Sequence, residues 1–173
     1  MTKKIDFFIG PCVLESKELA RQVIESLQED LKSFDDKIQL TFKGSFDKAN
    51  RSSIDSYRGP GIDEGLKILS DIKKEYNVPV ITDFHEASQA QIVAEVVDTL
   101  QVPAFLCRQT DIILSGAKAC KEFGRRLKVK KGQFLSPEET ENIVDKASNF
   151  LDKDSILLTE RGTSFGYNNL VVD

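Results

Sequence analysis

Short β-rich runs alternate with helix-like stretches along almost the whole chain, and this alternation restricts the fold more than any other feature. The runs are 5–10 (IDFFIG), 39–45 (QLTFKGS), 79–84 (PVITDF), 104–108 (AFLCR), 127–132 (LKVKKG) and 155–162 (SILLTERG). A helix is predicted from Ser16, an N-cap with Glu18 nearby, putting Leu19, Val23, Ile24, Leu27 and Leu31 on one face. Further helices are predicted over about 62–75, 87–99, 110–123 and 138–150, the fourth capped by Thr110 or Asp111. Strand–helix alternation implies a parallel sheet with helices on its faces.

Two architectures begin this way, a doubly wound sheet and an eight-stranded β/α barrel. The polar residues favour the barrel. They gather where runs end: Cys12, Lys43 and Ser45, Asp83 and His85, Arg108, Lys130 and Lys131, Glu160 and Arg161. In a barrel all such ends share one face, whereas a doubly wound sheet uses only those near its switch point. The expected fold class is therefore α/β, a (β/α)8 TIM barrel. With no linker or composition break, residues 1–173 read as a single domain. Only about six strands are present where a barrel needs eight, so the expectation is a barrel cut short, with strands one and six as open edges.

Composition narrows the partners. The formal net charge is −4 and no basic block occurs, so neither nucleic acid nor an anionic membrane surface is an expected partner. An anionic ligand would have to be held by a local cluster of cations. No apolar run approaches the roughly 18 residues of a bilayer span, and the apolar part of MTKKIDFFIG is too short for a signal peptide. Three scattered cysteines, Cys12, Cys107 and Cys120, suit reduced thiols and a cytoplasmic location.

Four segments carry chemistry. Gly10-Pro11-Cys12 leaves the first strand sharply and presents a thiol, a soft ligand for Zn²⁺ or Fe²⁺ or else a small buried hydrophobe. Residues 43–53, KGSFDKANRSS, pack three cations, an amide and three hydroxyls into one loop. That donor excess suits phosphate, since lysine brings a point charge and arginine a planar fork; the alternative is a charged surface loop. Asp83-Phe84-His85-Glu86 ends the third run and holds the only histidine, for acid–base work, sugar binding or local capping. Lys128, Lys130 and Lys131, and then Glu160-Arg161, put charge at two neighbouring strand ends, as a second anion site would require.

These segments resemble a known family. GPCVLES, KGSFDKANRSS, TDFHE, QVPAFLCRQTD, VKKGQF and LTERGTSFGYNNLVVD are similar in order and spacing to 3-deoxy-D-manno-octulosonate 8-phosphate (KDO8P) synthases. FDKANRSS is the specific stretch, because the related 3-deoxyheptulosonate (DAHP) synthases differ there. The resemblance implies a cytoplasmic homotetramer of the lipopolysaccharide pathway that condenses phosphoenolpyruvate with arabinose 5-phosphate. It assigns Lys48, Lys130 and Arg161 to phosphoenolpyruvate, Lys43 and Asp83 to the arabinose chain, and Asn50, Arg51 and Ser52 to its phosphate. Lys43, Lys48 and Asp83 are the catalytic candidates, and Arg108 joins the substrate-binding ones. A cysteine after Gly-Pro resembles the metal-dependent type, so Cys12 would be one ligand of a divalent metal (Zn²⁺, Fe²⁺ or Mn²⁺). Its expected co-ligands, a His, a Glu and an Asp, lie outside this sequence, and His85 is not the matching histidine. This chain alone is therefore expected to hold no stoichiometric metal and to be inactive. A DAHP synthase, or a fragment that only binds phosphorylated ligands, is the alternative.

Overall fold

A computed structural model describes residues 4–172; Met1–Lys3 and Asp173, the ends of the expected 1–173 domain and of the LVVD motif, lie outside the described residues. The structure divides into two compact units, one running to Asp83 with Val96–Asp98 added, the other comprising Phe84–Glu95 and everything from Thr99 onward.

In the first unit, β1 (Ile5–Ile9), β2 (Ile38–Lys43) and β3 (Val80–Asp83) lie side by side in that order, each parallel to its neighbour. Ile5 faces Ile38 and Ile9 faces Phe42; Lys43 faces Ile81. Helix α1 (Lys17–Leu31) follows β1, and α2 (Ile62–Tyr76) precedes β3. Ser16 caps α1 as expected, its hydroxyl accepting from the Leu19 N–H at 3.1 Å. The apolar stripe of α1 turns inward with Ala20 and Ile24 fully buried, and on α2 Leu66, Leu69 and Ile72 are buried. Outside, Lys17 joins Asp71 at 2.5 Å and Arg21 joins Glu75 at 2.9 Å, tying α1 to α2.

The second unit repeats the scheme. Strands β4 (Thr99–Val102), β5 (Arg126–Lys130) and β6 (Ile156–Thr159) are adjacent and parallel. Helices α4 (Thr110–Phe123) and α5 (Glu141–Ala147) connect them, and α3 (Ala90–Val96) precedes β4. Ile113, Ala117, Leu127, Val129 and Ala147 close its core. In each unit the strands follow one another in chain order with no reversal. Six strands alternate with helices in the manner of a β/α barrel, which is the expected fold class.

Several elements differ from expectation. The fourth strand is not 104–108 but Thr99–Val102; Ala104–Leu106 form a single 3-10 turn. Pro103 causes the shift, since it has no N–H to continue the ladder and holds φ at −60°. The third helix stops at Val96 instead of running to 99, because Asp98 turns back to accept the Val80 N–H at 2.9 Å. Further, α4 starts at Thr110 with Gln109 as N-cap and no side-chain cap, and 138–140 is a 3-10 turn ahead of α5. A two-stranded antiparallel hairpin, β7 (Thr163–Ser164) with β8 (Leu170–Val171), was not foreseen.

Candidate functional site

In the first unit, the ends of β1, β2 and β3 meet a loop over residues 44–61. Gly10 is what lets β1 end so close to β2, since a Cβ there would fall 2.0 Å from the Lys43 carbonyl oxygen. Lys43 is the last residue of β2 and is half-buried. Beyond it, Leu14 N–H donates to the Ser45 carbonyl at 2.9 Å and Gly61 N–H to the Phe46 carbonyl at 3.1 Å. Phe46, only 1% exposed, anchors the loop from below.

The loop turns Lys48 inward. Its ammonium lies 3.5 Å from the Asp83 carboxylate, with 12% of the lysine side chain and 4% of the aspartate side chain exposed. The same carboxylate accepts the Ser45 hydroxyl at 2.9 Å. Lys43, Ser45, Lys48 and Asp83 thus stand at the ends of β2 and β3, and in the near absence of water Asp83 orients a charge that would otherwise be mobile. Asn50, Arg51 and Ser52 take the opposite course and are exposed at the loop's tip, Arg51 donating from Nε to the Tyr57 carbonyl at 3.3 Å. The donor-rich loop is therefore split into an inward lysine and an outward amide, guanidinium and hydroxyl. Arg58, which sequence reading missed, fixes the loop by a two-point pair with Asp47 at 2.8 and 2.5 Å. Nothing local in the sequence marks two residues eleven apart as partners.

In the second unit, alternation along β5 puts Arg126, Lys128 and Lys130 on one face while Leu127 and Val129 are fully buried on the other. Lys128 donates to the Gln101 side chain at 3.0 Å and to the Thr159 hydroxyl. Lys130 ends β5 opposite Thr159 on β6. Lys131 departs from the expectation of a strand-end cation: it is 1% exposed and its ammonium is enclosed by the protein itself. Arg161 is exposed just past β6. Arg108 follows the 3-10 turn rather than a strand, at the rim of a cleft of about 320 Å³ shared with Leu135, Glu139, Asn142, Ile143 and Lys146. The His85 backbone N–H donates to the Gln89 side-chain oxygen at 2.9 Å, beside a capping box formed by Glu86 and Gln89; the bond does not involve the imidazole.

Cys12 is exposed, whereas Cys107 and Cys120 are buried. Burial pushes the Cys120 thiol up to about 12 and raises Cys107 as well. Among the described residues no group of three His, Cys, Asp or Glu side chains is placed to hold a metal ion, so the residues around Cys12 do not by themselves fit a metal centre. No described helix is long and apolar enough to cross a membrane.

The description of the DAHP synthetase I family matches residues 2–173. The chain belongs to that family. Within the DAHP synthetase I family it is similar to the 2-dehydro-3-deoxyphosphooctonate aldolase of Fusobacterium nucleatum, 53% identical over 171 residues, covering 99% of this chain and 59% of that protein. Proteins of the same name from Hahella chejuensis (54% over 166 residues, 96% and 57%) and Campylobacter jejuni (47% over 183 residues, 99% and 65%) are similar too. The chain spans about three-fifths of the length of these curated relatives.

Proposed function

We propose that the protein carrying this chain condenses phosphoenolpyruvate with arabinose 5-phosphate to give KDO8P and inorganic phosphate. What carries the reading is 47–54% identity, across nearly the whole chain, to proteins named for the octonate product. The family carries the heptulosonate name, but the relatives, named for the octonate, favour the eight-carbon product.

On this reading Lys48, Lys130 and Arg161 hold phosphoenolpyruvate. Lys43 and Asp83 meet the arabinose chain, Asn50, Arg51 and Ser52 bind its phosphate, and Arg108 adds a further substrate contact. The enol carbon attacks the aldehyde carbon, forming a C–C bond as the aldehyde oxygen gains a proton. Water adds at C2, and breakage of the C2–O bond releases phosphate. Negative charge persists throughout, and cations fixed in advance stabilise it at little reorganisation cost. The Lys48–Asp83 pair is such a preorganised charge. A divalent metal with Cys12 as one ligand, a cytoplasmic location and a homotetramer form part of the same proposal.

The test supplies the longer protein that carries this chain with phosphoenolpyruvate and either arabinose 5-phosphate or erythrose 4-phosphate, and follows phosphate release and product mass. Turnover with the pentose phosphate alone, giving an eight-carbon product, is expected. Preference for erythrose 4-phosphate, or no turnover with either, overturns the reading.

A further inference from the structure

Lys131 is the most deeply sealed charge of the second unit, and nothing in the proposed reaction uses it. Its ammonium donates to the carbonyls of Gly162 at 2.8 Å and Leu135 at 3.0 Å. The Thr163 hydroxyl stands at 3.4 Å and the Glu160 carboxylate also at 3.4 Å. One Glu160 oxygen, Oε1, does double duty: besides facing Lys131 it accepts the backbone N–H groups of Arg161, at 2.8 Å, and of Gly162. Gly162 has φ of 72°, a left-handed backbone that favours glycine, and a Cβ there would fall 2.6 Å from the Val171 carbonyl oxygen. Backbone bonds flank the knot, Lys131 N–H to Thr159 and Ser164 N–H to Gln133. Every polar neighbour of the buried ammonium therefore belongs to the turn after β5 or to residues 160–163. Arg161 sits at the centre of that segment with an exposed side chain.

We infer that Lys131 is a positioning residue that aims Arg161: its ammonium holds the Gly162 carbonyl directly and faces the Glu160 carboxylate that accepts the Arg161 and Gly162 amides, so the guanidinium projects from a fixed base toward an anionic ligand. The inference rests on the reading that Arg161 holds phosphoenolpyruvate. A long side chain on an unpinned turn would lose conformational freedom on binding, and the pin removes part of that cost beforehand.

The experiment measures phosphoenolpyruvate dissociation constants by calorimetry for the parent protein, Lys131→Met, Arg161→Ala and the double variant. Arg161→Ala should weaken binding roughly tenfold to a hundredfold, as loss of a charge-assisted contact does. Lys131→Met should weaken it by a comparable factor, and the double variant should bind no worse than Arg161→Ala alone, because one residue acts through the other. Glu160→Gln, which keeps the oxygen acceptor but not the charge, should weaken binding less and serves where Lys131→Met does not fold. Multiplying effects in the double variant, or unchanged affinity in both Lys131→Met and Glu160→Gln while Arg161→Ala is impaired, overturns the positioning role and leaves the proposed function standing. An Arg161→Ala protein that binds as tightly as the parent overturns the assignment of Arg161 and this inference with it.

Discussion

Replacing Asp83 with asparagine isolates one charge in the candidate site. Asp83 is 3% exposed, accepts the Ser45 hydroxyl at 2.9 Å and faces the Lys48 ammonium at 3.5 Å. Asparagine has nearly the same shape and its amide oxygen can still accept from Ser45, so Asp83→Asn chiefly leaves Lys48 without its counter-charge. Stranding one member of a fully buried pair costs about 3–5 kcal/mol. Lys48 retains 12% side-chain exposure, so some water reaches it and the expected loss is about 2–3 kcal/mol. Asp83→Ala also removes the acceptor for Ser45, adding about 1–3 kcal/mol. The combined Lys48→Met, Asp83→Asn protein has no stranded charge and should be more stable than Asp83→Asn by about 1 kcal/mol or more. Urea unfolding followed by circular dichroism reads all three, provided the denaturant slope is unchanged. An Asp83→Asn protein within about 0.5 kcal/mol of the parent would refute the claim that Asp83 holds Lys48 in a water-poor setting.

Three further outcomes are expected. A thiol reagent should modify Cys12 quickly and Cys107 and Cys120 only on unfolding, since the latter two are buried with raised pKa values; rapid loss of all three thiols contradicts the packing. Burial acts to raise the Glu160 carboxyl, but hydrogen bonds from the Gly162 and Arg161 amides and the nearby Lys131 hold it below its ordinary range. A depressed carboxylate stabilises the fold above its unfolded pKa, about 4.3 for glutamate, and that gain is lost as pH falls through the folded value. The stability gap between the parent and Glu160→Gln should therefore be full at neutral pH and shrink in acid; a gap constant with pH speaks against it. Elemental analysis of the purified 173-residue chain should find no stoichiometric divalent metal, and a 1:1 content would mean that residues present here complete the Cys12 site.

Much of the framework was legible because periodicity and capping are local. Ser16, the α2 stripe and α4 over 110–123 could be read from spacing alone, and the structure has them. AFLCR misled because its apolar run looks like a strand, while the real strand, Thr-Leu-Gln-Val, hides a glutamine that pairs with Lys128. The hairpin of β7 and β8 has two-residue strands, too short for any period to show. At the site, the donor-rich loop and the strand-end residues were visible as types, but their directions were not. Whether Lys48 turns in and Arg51 out depends on Asp83 and Tyr57, distant in the chain or outside any pattern. Lys131 did leave a trace, since two-residue alternation puts it on the side of Leu127 and Val129. What alternation could not show was a cage built about thirty residues later in the chain.

The central claim is that this chain's cations are divided between two phosphorylated substrates, and Michaelis constants for both substrates, measured in the longer protein that carries the chain with Arg51→Ala and Lys130→Ala, test it most directly. The account predicts opposite signatures: Arg51→Ala raises the constant for arabinose 5-phosphate by roughly tenfold or more and leaves phosphoenolpyruvate nearly unchanged, and Lys130→Ala does the reverse. Arg51→Lys should stay impaired, because an ammonium cannot replace a bidentate fork. Equal effects on both substrates in either variant would contradict the division.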